Sequence, residues 1–471
     1  MKEKYRIEQD SLGSLEVPKE VYYGIQTVRA LNNFKITNRT IHPQLIRSLG
    51  IVKKAALLAN HQLGYIDDKR KDFMVEATNE VIEHKLDNQF PTDPIQGGAG
   101  TSINMNVNEV IANRAGELAG YELGRYEYIH PNDHVNFAQS TNDVIPTAGK
   151  LTALVLADKL MVEIKALTES LLDKSEAFKG IVKVGRTHLQ DAIPIQLSQE
   201  FHAYYSALSR DLIRIQKAFE DLREINMGAT AVGTGLNSDP RYKDLVVGYI
   251  NELSGYKFQS ASDLVDSTRH VDGLVWAHSA LKTFSVNLSK LANDVRLMAS
   301  GPLTGLNEIS IPEKQPGSSI MPGKVNPVIF EVTNQVCFQV FGNDTTIIKA
   351  AEAGQLELNV MEPVILYNLF ESLEILTNVV STLNHNGIKG IQANTEVMAE
   401  MFDRSLSLAT VLAPTLGYKV ASNLAKRAIK ENKKFKDLIL EEKLLTTEQL
   451  EALFDIEKIT NPGIFKLEIK E

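Results

Sequence analysis

The chain has 471 residues, 43% of them hydrophobic and 23% charged, which suits a soluble globular protein too long for one compact core. A net charge of −9 offers no basic footprint for nucleic acid, so no nucleic-acid partner is expected and any anion site must be built locally. The single cysteine, Cys337, excludes an internal disulfide framework, and the charged start Met1-Lys-Glu-Lys-Tyr-Arg-Ile-Glu has no apolar signal region. No uninterrupted apolar run approaches a membrane span, so a cytoplasmic protein without a membrane partner is expected.

Residues 1–141 mix short helical patterns with polar turns and are taken as an N-terminal domain. His130 and His134 are four apart there, but Pro131 and Asn132-Asp133 break the helix that would pair them on a metal. Residues 142–390 change character, and five long helices are predicted. The first carries Leu151, Leu154, Val155, Leu160, Ile164, Leu167 and Leu171 at mostly three- and four-residue steps. The others are placed at Leu197–Ile225, at Asp272–Met298, from Pro327 through Ile347, and at Leu356–Leu383 with Pro363 as a kink. Such lengths predict an elongated bundle. The third helix is apolar on more than one face, through Leu274, Val275, Leu281, Phe284, Leu288, Leu291 and Leu297, which predicts oligomerisation through the bundle. Cys337 reads as a buried filler in the fourth. Residues 391–471 hold shorter helices, a lysine-rich solvated face at Lys430–Lys436, and a capping box from Thr446 and Gln449. The fold class is mainly all-α.

Familiar cofactor signals are missing. Gly233-Thr-Gly235 lacks the third glycine and the strand–helix context of a dinucleotide loop, and there is no Walker loop. Four polar clusters remain: Gly97–Ser102, Gln139–Asp143, Gly185–Gln190 and Gly317–Pro327. The last combines two hydroxyls, a cation, an amide, two glycines and two prolines. It reads as a shaped loop in which Asn326 caps a helix, Pro327 takes its first position, and Lys324 favours an anion. Singly, each cluster also fits a helix cap or a surface turn.

Together the four resemble the active-site segments of the aspartase/fumarase superfamily, whose members eliminate a group from a succinyl substrate to leave fumarate. The resemblance covers nearly the whole chain. It implies a three-domain fold with a central long-helix bundle, assembled into a homotetramer in which three subunits share each site. It implies no metal and no organic cofactor. By this resemblance Ser318 would be the general base that takes a β-carbon proton. Thr101, Ser140, Thr141 and Ser319 would stabilise the aci-carboxylate; Thr187, Lys324 and Asn326 would hold the α-carboxylate. Asn142 and His188 would contact the leaving group, and Glu331 would orient His188.

Four places favour the ammonia-releasing branch of the superfamily. Gly98-Ala99-Gly100-Thr101-Ser102 stands where fumarases tend to have Gly-Ser-Gly-Thr-Gln, and Ser140-Thr141-Asn142 replaces Ser-Ser-Asn. Gly228-Ala229-Thr230 replaces Gly-Gly-Thr, and Glu362 stands where fumarases usually carry a basic residue, making its neighbourhood more negative. The implied reaction is reversible deamination of L-aspartate to fumarate and ammonia, with hydration of fumarate to L-malate as the alternative. Ala299-Ser300-Gly301 is the tripeptide that aromatic ammonia-lyases cyclise, but here Pro302 follows it as a helix stop. A purely structural role, as in the superfamily's lens proteins, does not need the serine, lysine, asparagine and histidine that are all present.

Overall fold

The computed structural model describes residues 4–464, 466 and 467. It is mainly helical; among the described residues the strands form only two-stranded sheets. The first, Tyr5–Asp10 against Gly13–Pro18, is a hairpin turned by the Asp10 carboxylate, which accepts from the Leu12 N–H. The helices that follow are longer than the sequence suggested. Pro43–Gln62 begins with Pro43 at its first position and the His42 ring accepting from the Gln44 N–H. Asp68–Ile82 is capped by Asp67, and Thr101–Leu118 starts from a left-handed Gly100.

The five long helices are Thr141–Ala177, Leu197–Glu220, Asp272–Met298, Val328–Glu352 and Glu362–Asn386. The third matches its predicted bounds at both ends. Three of the others differ, each for a specific structural reason. The second stops at Glu220, because Glu224–Ile225 instead pairs in parallel with Gln259–Ser260. The fourth begins one residue later than expected. Pro327 occupies the cap position, its carbonyl accepting from the Glu331 N–H, while the Asn326 amide donates to the Gly317 carbonyl at 2.8 Å. The fifth begins only at Glu362. Before it, Asn359 donates its amide to the carbonyls of Ala350 and Ala351, closing the preceding helix, and accepts from the Met361 N–H. Pro363 therefore falls in the first turn, where its missing N–H is not needed, and it makes no kink.

The chain divides into two compact units, residues 1–161, 213–285 and 338–376 in one, and 162–212, 286–337 and 377–471 in the other. The boundaries fall inside long helices. In the first unit three helices are pinned by a buried polar chain. The His278 ring stands 3.0 Å from Asp344 Oδ1 and 2.9 Å from Ser372 Oγ, and Lys282 donates to Asp344 Oδ2. His278 and Ser372 have no exposed surface, so this Ser–His–Asp arrangement sets helix register and has no access to a substrate. In the second unit, a hairpin of Val182–Thr187 and Gln190–Gln196 packs through Val184 on the C-terminal helices, against Phe402, Leu408, Leu412, Phe435 and Leu438. Each such side chain contributes about 1.5–3 kcal/mol when fully buried. Both halves of the Thr446–Gln449 capping box are present, and Lys433 and Lys436 pair with Glu441 and Asp403 on the outer face. Cys337 is buried, which pushes its thiol up to about 12.

The stretch Glu362–Gly390, though interrupted by charged residues, is apolar and long enough on average to cross a membrane by composition alone. More than half of its most apolar window is buried within the chain, as in a core helix. Glu362, at its start, is itself buried, and burial pushes its carboxyl up to about 8 against the pull of the Lys150 ammonium. It therefore adds less negative charge near neutral pH than the sequence suggested. Between the ordinary carboxyl range and pH 8 the folded chain keeps a proton that the unfolded chain releases, so folding stability falls as pH rises through that window. Glu362→Gln should flatten this slope. Its denaturation midpoint should gain on the wild type from pH 5 to pH 8, and parallel curves would show that Glu362 is charged in the fold.

Candidate active site

Two helix starts converge in the first unit. Gly98, Ala99 and Gly100 are all left-handed, at φ 87°, 56° and 89°, and the turn ends in Thr101, whose Oγ1 donates to the Gly98 carbonyl at 2.7 Å. A β-carbon at Gly100 would stand 3.0 Å from Ile145, so the glycine lets this helix start lie against the first turns of Thr141–Ala177. Asn104 reaches across to Thr141 Oγ1 at 3.4 Å.

The second start is a reciprocal cap. Ser140 Oγ accepts from the Asn142 N–H at 3.2 Å, and the Ser140 N–H donates to Asp143 Oδ1 at 2.9 Å. The other oxygen of Asp143 accepts from the N–H groups of Gly228 and Thr230, at 3.3 and 3.0 Å. Asn226 donates to the Asn142 carbonyl, and the Asn142 amide donates to the Ala231 carbonyl at 2.7 Å. The Gly228-Ala229-Thr230 signature is thus the strip of backbone that docks the Ser140–Asn142 segment. Behind it, buried Lys53 donates to Asn136 Oδ1 and Gln139 Oε1. Burial pushes the Asp143 carboxyl up and the Lys53 ammonium down, and each charge opposes the shift of the other. A cavity of about 310 Å³ opens beside Ser140, lined also by Thr230, Ala231 and Val232. Thr101, Ser140, Thr141 and Asn142 therefore stand together on two adjacent helix N-termini, an arrangement that favours a carboxylate.

The other predicted residues lie in the second unit. Thr187 ends one strand of the hairpin and Gln190 opens the next, so His188 and Leu189 form a two-residue turn at φ 53° and 61°. Both are exposed, and among the described residues the His188 ring has no hydrogen-bond partner, Glu331 included. The Ser318 loop is closed by the Gly317 N–H on the Lys324 carbonyl at 2.7 Å, a contact so close that a β-carbon at Gly317 would stand 2.6 Å from that oxygen. Ser318 Oγ accepts from the backbone N–H groups of Ile320 and Met321, at 3.2 and 3.0 Å. Ser319 and Lys324 are exposed, and Lys324 has no ion-pair partner among the described residues. One N–H of Asn326 holds Gly317, leaving its other N–H and its Oδ1 for a ligand.

No role for Lys53, Asn226 or Asn104 is read from the sequence, and Asp143 enters there only as the end of the Gln139–Asp143 cluster. Asp143 carried a signal, since an acid three residues after Ser140 completes a capping box; a lysine inside an amphipathic helix carries none. The rings of His130 and His134 are occupied with backbone N–H groups. No cluster of three or more His, Cys, Asp or Glu with metal-binding geometry occurs among the described residues.

Comparison with known proteins agrees along the whole chain. Residues 13–342 match a family described as lyase, and residues 408–461 match the fumarase C C-terminus. The aspartate ammonia-lyase of a Bacillus species is 53% identical over 98% of both chains. That of Bacillus subtilis is 48% identical over 99% of this chain and 98% of its own. Among solved structures, the cobalt-bound fumarate lyase:delta crystallin of Brucella melitensis superposes with a TM-score of 0.95 at 42% identity, covering 97% of this chain and 100% of its own. The class II fumarase of Schistosoma mansoni gives 0.92 at 37% identity over 97% and 99%. With both family segments matched in order and the helical architecture shared, the chain belongs to the class II fumarase/aspartase superfamily of lyases, on its aspartate ammonia-lyase side.

Proposed function

We propose that the chain is a carbon–nitrogen lyase that reversibly converts L-aspartate to fumarate and ammonia in the cytoplasm. The observation that carries the chemistry is the environment of Ser318. Two backbone N–H groups already point at its Oγ, and Lys324 stands six residues on in the same closed loop. A serine is too weak a base at its ordinary pKa, and these donors stabilise the alkoxide it needs. The alkoxide removes the β-carbon proton, and the electron pair moves into the adjacent carboxylate to give a dianionic aci-carboxylate. Thr101, Ser140 and Thr141, on their two helix N-termini, together with Ser319, meet that charge. Lys324, Thr187 and Asn326 hold the other carboxylate. Collapse of the intermediate breaks the C–N bond and leaves fumarate.

The similarity to aspartate ammonia-lyases supports ammonia over water as the leaving group, and Asn142 can meet it. The Ala231 carbonyl accepts one N–H of the Asn142 amide, which leaves Oδ1, an acceptor, and the second N–H for a ligand. An ammonium group is all donors and needs such acceptors. His188 joins Asn142 at this position.

The site is proposed to form from three subunits of a homotetramer. The long helices of the single chain leave Val162, Ile213, Trp276, Val286 and Phe338 about half exposed or more, which suits burial against other copies. Within such an assembly each site takes the Thr101 and Ser140–Asn142 segments, the Thr187–His188 hairpin tip and the Ser318 loop from different subunits.

Purified protein should raise fumarate absorbance from L-aspartate, with ammonia released in equal amount. Robust dehydration of L-malate beside negligible turnover of aspartate would replace this reading with fumarase. Ser318→Ala should lower turnover by about 10²–10⁴-fold in a folded enzyme. Lys324→Ala removes a charge-assisted contact worth about 1.5–3 kcal/mol and should lower kcat/KM by about ten- to a hundredfold. Wild-type turnover in Ser318→Ala would remove the serine from the mechanism. Co-refolding of His188→Ala with Ser318→Ala should restore activity that neither has alone, and a fully active monomer would exclude shared sites.

A further inference from the structure

Thr187 and His188 are presented by a hairpin whose two turn positions are filled by His188 and Leu189, residue types the turn does not favour. In a two-residue hairpin loop with both residues left-handed, Asn-Gly is preferred, and other side chains cost about 1–2 kcal/mol each. His188 and Leu189 occupy those positions here. A strained turn persists only where its surroundings over-determine it. Apolar packing does not do so at this end of the hairpin. Leu189 and Ile193 are exposed, and the hairpin borders a cavity of about 760 Å³ lined by Gly185, Thr187, Leu189 and Ala192 among others.

Charge reaches the hairpin instead. We propose that Glu308 is a positioning residue for the reaction, fixing Thr187 and His188 by gripping Arg186 and Lys183 of the same strand. Glu308 is 1% exposed. Arg186 donates to its Oε1 at 2.6 Å, and the Lys183 ammonium lies 3.0 Å from Oε2, an ion-pair contact too poorly angled to count as a hydrogen bond. Lys183 donates its hydrogen bond to Glu200 at 2.7 Å. Glu308 is itself anchored at both ends of its backbone, its N–H on the Met298 carbonyl and its carbonyl accepting from the Asn394 N–H, each at 2.9 Å. Arg186 directly precedes Thr187, and the strand register shifts between Val184 and Arg186, so the grip acts where the strand is re-aimed. Without the carboxylate, two largely buried cations lose their shared partner, which costs far more than a surface pair returns. Lys183 keeps Glu200, whereas Arg186 turns toward solvent, and the hairpin tip moves with it. A displacement of about 1 Å at a catalytic group costs on the order of 10²-fold in rate.

The inference rests on the roles proposed above for Thr187 and His188. The test is a double-mutant cycle of Glu308→Gln with Thr187→Ala, measured as kcat/KM for L-aspartate, with circular dichroism and oligomeric state checked for each variant. Glu308→Gln alone should lose roughly 10²-fold with fold and assembly unchanged, and Glu308→Asp should recover part of that loss. In the Thr187→Ala background the same substitution should cost several-fold less, because one of the contacts it positions is already gone. An equal loss in both backgrounds, or full activity in folded Glu308→Gln, overturns the proposal. If Glu308→Gln does not fold, Arg186→Gln takes its place in the cycle with the same outcomes. Wild-type activity of Thr187→Ala alone would overturn the site assignment instead, leaving that failure distinct from this one.

Discussion

The residues proposed to meet the substrate from the first unit depend on one buried carboxylate. Asp143 accepts from three backbone N–H groups, one at the start of its own helix and two from the Gly228–Thr230 turn. These bonds lock the first turn of a 37-residue helix to a turn almost ninety residues away in sequence, and Ser140, Thr141 and Asn142 ride on that turn. A carboxylate here has a drawback, since it lies beneath the site proposed for an anion. Lys53, the buried cation behind the same segment, offsets it, so the helix N-termini act on the ligand without a net negative floor beneath them.

The groups proposed to carry the chemistry share a placement rule. Each sits where regular structure ends: at the starts of Thr101–Leu118 and Thr141–Ala177, at the hairpin tip, and in the loop before Val328–Glu352. At these ends backbone N–H groups are free of their own ladders and can be aimed. The Ser318 loop uses two of them on a side-chain oxygen, and the Gly98–Gly100 turn uses left-handed backbone to bring one helix start against another. The long helices supply rigidity, and the irregular pieces supply geometry.

What was legible beforehand follows the range of the interactions involved. Asp272–Met298 could be read to the residue because apolar periodicity is local. The over-long second helix was not correctable, because Ile225 leaves the helix to pair with Ser260, a partner outside any local window. Pro363 looked like a kink only while the cap formed by Asn359 was unknown, and Asn326 looked like a cap because its bond to Gly317, nine residues back, has no pattern. The residues proposed for the site come from motif resemblance. Lys53, Glu308 and the His278–Asp344–Ser372 chain were not legible, since nothing in a sequence separates a buried, paired charge from a solvated one.

Cys337 gives the molecule a built-in reporter. It is the chain's one thiol, it sits on a core helix, and burial raises it to about 12, so almost none is thiolate at neutral pH. A thiol reagent reacts only when that helix opens, and a single modification per chain then records the event without ambiguity of position. Labelling rates thus read the opening of the bundle directly, in the wild-type sequence and without an introduced probe.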